Sequence, residues 1–209
     1  MNQLKDIERR HIVELRVEDG ESTKITGHAA VFDIPAEIWG FEEVVRKGAF
    51  TQAIKEDDVR ALWNHDPNFV LGRTKSKTLK LSEDERGLLV DNDPPNTQWS
   101  KDLQVSMKRG DVDQMSYGFI VQEEKWTVRQ GKPDLREILK ARLFDVAVVT
   151  FPAFKETDAQ VENQRSLALR NAPEEIKNKI SNGGQGAPED NNTEFDQVRK
   201  LKHMKMKII

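Results

Sequence analysis

The sequence predicts a mainly β fold, a barrel or sandwich with helices packed outside. Three observations predict it. Apolar residues recur with period two in many short segments, only two stretches before residue 155 carry helical spacing, and all the aromatic side chains but one lie in that same stretch. All four tryptophans and eight of the nine phenylalanines precede residue 155, and after Phe154 the remaining aromatic is Phe195. A core domain over residues 1–155 and a polar tail over 156–209 are therefore expected.

Residues 11–18 alternate, with Val13, Leu15 and Val17 on one side and Ile12, Glu14, Arg16 and Glu18 on the other, the pattern of a strand. Residues 24–32, 41–46, 59–65, 78–81 and 87–90 read as further short strands, and 112–121 and 143–151 as longer, more apolar ones. A short helical pattern covers 48–55. A second covers 97–109, with Thr97 as N-cap, Trp99, Leu103 and Met107 four residues apart, and Gly110 as the stop. Thr157 and Gln160 resemble a capping box that opens one short helix near 158–170. Residues 182–192 are polar and glycine-rich, and the end is basic through Arg199, Lys200, Lys202, Lys205 and Lys207. Gly183 and Gly184 would make a cleavable linker, and the basic end would recruit the chain to an acidic surface. A solvated tail without a role explains the same residues.

Composition excludes several classes. The 33 basic and 36 acidic residues leave a net charge of −3, so bulk attraction to nucleic acid or to an anionic membrane is not expected. Cysteine is absent, which removes disulfides, thiolate zinc sites, iron–sulfur clusters and a cysteine nucleophile. No run of about 18 apolar residues exists to span a membrane. Residues 1–15 carry charges where a signal peptide needs an apolar stretch. A soluble, intracellular protein is expected.

Three polar residues stand in apolar strand contexts. Alternation puts His65 on one face with Val59, Ala61 and Trp63; by itself it reads as a half-buried residue at a turn. Ser116 shares a face with Gly118 and Ile120, an arrangement that leaves room for another backbone to approach, as a nucleophile needs. It equally fits a serine tucked into a sheet. Asp145 lies in a strand apolar on both faces, where an unpaired carboxylate is expensive. Its bland partners are Arg142 or a backbone amide; its functional partner would be a histidine ring. Together the three are the parts of an activated oxygen nucleophile: the imidazole takes the serine proton, and the carboxylate fixes the imidazole's tautomer. The order is His, Ser, Asp, with separations of 51 and 29 residues. Gly-x-Ser-x-Gly is absent, which argues against an α/β-hydrolase.

The dipeptide His65-Asp66 also occurs in metal-dependent phosphohydrolases, but four scattered histidines without His-x-x-x-His spacing give a metal centre little support. The glycine-rich nucleotide motifs are absent. No metal and no cofactor are expected.

Eight blocks of the core carry a resemblance. They are residues 26–33, 45–50, 62–66, 70–74, 84–88, 107–111, 115–119 and 145–153, including Trp63-Asn64-His65-Asp66 and Met115-Ser116-Tyr117-Gly118-Phe119. In this order they resemble the prohead serine protease family of tailed phages. The resemblance implies a fold like herpesvirus assemblin, a β-barrel surrounded by α-helices. It implies His65 as base and Ser116 as nucleophile. The family usually has glutamate where this chain has Asp145, one methylene shorter, so the strands would have to stand closer.

The function this implies is a serine endopeptidase of a phage or prophage. It would act in the host-cell cytoplasm inside the immature capsid, cutting scaffolding segments from the major capsid protein and processing itself. Its partners would be that capsid protein and further copies of itself, with no nucleic acid and no membrane. A non-enzymatic scaffold or assembly module on the same fold is the alternative.

Overall fold

The computed structural model describes residues 6–12, 15–17, 24–151 and 158–182. Eleven strands and four helices follow in the order β1 (Glu8–Ile12), β2 (Leu15–Val17), β3 (Ile25–Val31), β4 (Ala36–Ile38), β5 (Phe41–Val45), α1 (Thr51–Glu56), β6 (Arg60–Trp63), β7 (Asp66–Arg73), β8 (Leu79–Glu83), β9 (Gly87–Asn92), α2 (Gln98–Arg109), β10 (Gln114–Thr127), β11 (Asp134–Val149), α3 (Asp158–Leu169) and α4 (Glu174–Asn182). The fold is mainly β with a few helices.

The centre of the architecture is the antiparallel hairpin of β10 and β11. One edge of β11 serves two parallel strands in succession, β5 along residues 134–138 and β6 along residues 145–148. The larger sheet therefore runs β1-β10-β11-β5-β4, with β6 and β7 branching from the far end of β11. A second sheet has the order β2-β3-β9-β8. Among the described residues these sheets do not close into one barrel, because β11 divides its edge between two neighbours and forks the sheet rather than rolling it shut. Both sheets nevertheless line one core. Ile25, Ala29, Leu88 and Val90 of the smaller sheet meet Met115, Tyr117, Phe119, Val146 and Val148 of the larger, with Ala53 of α1 and Leu103 and Met107 of α2.

α2 follows its predicted pattern. Thr97 occupies the N-cap in extended conformation without a side-chain cap bond. Gly110 ends the helix at φ +80°, while its N–H bonds to Met107 O and that of Asp111 to Ser106 O. α3 runs along the open edge of β1. The Gln164 side chain accepts from Arg9 N–H at 2.9 Å and donates to Ile7 O at 3.2 Å, standing in for a missing neighbour strand.

A buried ionic cluster pins β1 from the other direction. Arg136 of β11, 1% exposed, donates to Glu8 of β1, Glu43 of β5 and Glu124 of β10 at 2.6–2.9 Å. Arg10 of β1 donates to the same Glu8 and Glu43 at 2.7–2.9 Å. Reciprocal pairing is what allows these charges inside. The acidic neighbours and hydrogen bonds raise both guanidinium pKa values despite burial, and Arg10 and Arg136 hold the Glu43 carboxyl below its usual range.

The chain groups into two compact units, residues 1–173 and 174–209. The described part of the second is α4, which has Glu174 and Glu175 in its first turn, favourable at a helix N-terminus, and Ile176 and Ile180 on one face. Thr157, the Gly183-Gly184 linker, His203 and the basic end lie outside the described residues. Among the described residues no helix is long and apolar enough to cross a membrane.

Candidate active site

Ser116 belongs to β10, where it stands opposite Ala147 of β11; two residues on, Gly118 stands opposite Asp145. Opposed residues share a sheet face, and this face is turned away from the main core. Beside Ser116 it carries a small apolar cluster of Leu62, Ala147 and Val149. On its other side β10 pairs with β1, which brings His11 opposite Ser116 in register. A register shift falls between Gly118 and Phe119, where β11 advances from Asp145 to Leu143. Such bulges re-aim side chains, and here one adjoins the Asp145 position.

His65 reaches the same spot from a turn, which corrects its reading as a strand residue. β6 ends at Trp63, which pairs with Asp66 of β7, leaving Asn64 and His65 as a two-residue hairpin loop. Their φ angles are +54° and +57°, the left-handed values that a type I′ turn requires. Asparagine tolerates this region; histidine at the second position costs about 1–2 kcal/mol relative to glycine. The turn is tied down by Asn64, whose N–H bonds to Val148 O at 2.8 Å. Its Oδ1 accepts from Thr150 N–H at 2.8 Å, and its Nδ2 lies 3.3 Å from Thr150 Oγ1.

The three side chains singled out from the sequence converge. His65 Nε2 lies 2.7 Å from Ser116 Oγ, and His65 Nδ1 contacts Asp145 Oδ2. An ionised carboxylate only accepts, so Asp145 keeps a proton on Nδ1 and leaves the Nε2 lone pair to accept from the Ser116 hydroxyl. The rival partner of Asp145 is engaged elsewhere: Arg142 donates to Asp57 at 2.8 Å.

The space beside Ser116 is used differently from the open approach read in the sequence. A Cβ at position 118 would overlap Asp145 Oδ1. The glycine thus admits a carboxylate rather than a passing backbone. Ser116 itself is 2% exposed and His65 is half-buried. A desolvated hydroxyl, an imidazole that can accept its proton and a buried carboxylate that orients the imidazole form an arrangement that can activate an oxygen nucleophile.

Among the other described residues, His28 donates from Nε2 to Asp84 at 2.8 Å in the smaller sheet, apart from this site. No group of three or more histidine or acidic side chains among the described residues could hold a metal. Asn64 and Thr150 were not singled out by sequence reasoning. The signal was present, since Asn64-His65-Asp66-Pro67 is a cluster of turn formers.

The sequence profile of the caudovirus prohead serine protease family matches residues 11–171. The prohead protease of Enterobacteria phage HK97 is 30% identical over 139 residues, covering 65% of this chain and 58% of that protein. This chain therefore spans less than two thirds of that relative's length. The structure of the bacteriophage T4 capsid assembly protease, gp21, aligns with a TM-score of 0.44 and 11% identity, covering 68% of this chain and 98% of that one.

Proposed function

We propose that this chain, which belongs to the caudovirus prohead serine protease family, is a serine endopeptidase whose nucleophile is Ser116, whose base is His65 and whose orienting carboxylate is Asp145. The observation that carries the reading is the contact of one imidazole with both partners, Ser116 Oγ at 2.7 Å from Nε2 and Asp145 at Nδ1.

In this mechanism Ser116 Oγ adds to the scissile carbonyl carbon while its proton passes to His65 Nε2. Asp145 stabilises the imidazolium without taking its proton. His65 then protonates the leaving amine, and the C–N bond breaks to leave an acyl group on Ser116. Water, deprotonated by the same nitrogen, releases the acid and restores the serine. The substrate in this reading is the scaffolding segment of a major capsid protein, cut inside the immature shell, and the chain also processes itself. Removing interior protein makes room for the genome, and hydrolysis makes the step irreversible.

For the fold, the finer reading is an assemblin-like barrel opened at the fork of β11, supported by the core that the two sheets share. An experimental structure in which the sheets have separate cores would reject it.

Two variants test the activity. Ser116→Ala and His65→Ala should each abolish processing of a coexpressed capsid precursor, and a fluorophosphonate should label the native chain but not Ser116→Ala. Processing at the native rate by either variant would overturn the assignment. A non-enzymatic assembly module would support shell formation with no cleavage and no labelling.

A further inference from the structure

Asn64 is a positioning residue for the proposed base, and the following inference rests on that reading of the site. We infer that the Asn64 side chain, by gripping Thr150, holds His65 in the one orientation that joins Asp145 to Ser116.

The argument starts from the turn. Asn64 and His65 form the whole connection between β6 and β7, and both have left-handed φ values. For His65 this conformation is costly and persists only where its surroundings impose it. The strand ladder fixes Trp63 against Val148, but it ends there. Beyond it, apart from the His65–Asp145 contact itself, the turn is tied to β11 and its end by Asn64: its N–H to Val148 O, and its side-chain amide to Thr150 N–H at 2.8 Å and Thr150 Oγ1 at 3.3 Å.

Those partners sit on the segment that also carries Asp145. Val148 and Thr150 follow it by three and five residues along the same chain stretch. The clamp therefore references the histidine turn to the strand bearing its carboxylate partner. It does so from an exposed residue whose hydrogen bonds go to Val148 and Thr150 rather than to Ser116 or Asp145. With the clamp removed the turn can relax toward right-handed φ, and the imidazole would swing from the line between hydroxyl and carboxylate. Misplacement of a reacting group by about 1 Å costs on the order of 10²-fold in rate.

The informative variants are Asn64→Gly, which keeps the left-handed turn accessible but deletes the clamp, and Asn64→Asp, which keeps an oxygen for the Thr150 N–H. The measurements are the low-field proton NMR signal of His65 Nδ1–H in the full chain, and kcat and KM on a capsid-derived peptide. Asn64→Gly should broaden or lose the signal and lower kcat at least tenfold, with KM changed less than twofold. Asn64→Asp should keep the signal and stay within threefold of the native kcat. An unchanged signal in Asn64→Gly overturns the inference, as does an Asn64→Asp variant as impaired as Asn64→Gly. Should the native chain show the signal but neither cleave peptide nor react with a fluorophosphonate, the proposed activity fails while the signal still judges the clamp.

Discussion

Gly118 and Asp145 stand opposite each other on the β10–β11 ladder, and the missing Cβ of Gly118 is the space that the Asp145 carboxylate fills. The Ile7 side chain closes the same space, 3.1 Å from where that Cβ would be. One methyl group at 118 therefore acts on the geometry of His65 through its carboxylate partner. Gly118→Ala should lower kcat by about 10²-fold, the scale of a 1 Å misplacement. Overpacking should also cost about 1–3 kcal/mol of stability. Peptide cleavage kinetics with a urea melt on the same sample separate the two, and a native kcat would show that Asp145 does not need its present position.

Asp145→Asn tests the carboxylate itself. An amide can donate to Nδ1, which shifts the imidazole proton to Nε2 and removes the acceptor that Ser116 needs. The expected loss is about 10⁴-fold in kcat, the scale found where this tautomer control is broken. An unaffected rate would remove Asp145 from the mechanism and leave the Ser116–His65 pair standing.

How much was legible in the sequence differs from element to element. β3, β5, β9 and α2 were clear because alternation or four-residue spacing there reflects simple apolar burial. The first half of β11 carries no strand pattern in the sequence for a physical reason: charged Asp134, Arg136 and Glu137 interrupt the apolar alternation, whereas Arg136 is buried because three glutamates from other strands surround it. Periodicity cannot foresee that pairing. β7 was missed because Asp66-Pro67-Asn68 reads as a turn, although proline is permitted near the start of an edge strand. The chemistry-bearing residues could be named from their types and settings, but their meeting could not. It depends on the register that sets Ser116 beside Ala147 and on the turn that folds His65 back over β11.

The buried ionic cluster gives a stability prediction. Arg136→Met leaves Glu8, Glu43 and Glu124 without the cation that binds all three, which should cost about 3–5 kcal/mol. Urea unfolding followed by tryptophan fluorescence would measure it. A loss under 1 kcal/mol would mean that Arg10 alone compensates the acids.

His28 and Asp84 give a pH prediction. The hydrogen bond from His28 holds the Asp84 carboxyl at about 2, below its usual value near 3.8, with the N–H groups of Gly87 and Arg86 helping. A depressed folded-state value means that the contribution is fully present above the unfolded value and disappears as pH falls through the folded one. The difference in Tm between the native chain and Asp84→Asn should therefore shrink steadily as pH falls from about 5 toward 2. A difference that grows on acidification would contradict the assignment.

The most direct test of the central claim is mass spectrometry of capsid precursor coexpressed with the native chain and with Ser116→Ala. The native chain should yield a capsid protein shortened at one defined bond, and Ser116→Ala should leave the precursor whole. The same shortened product from both would show that the hydroxyl of Ser116 is not the group that cuts.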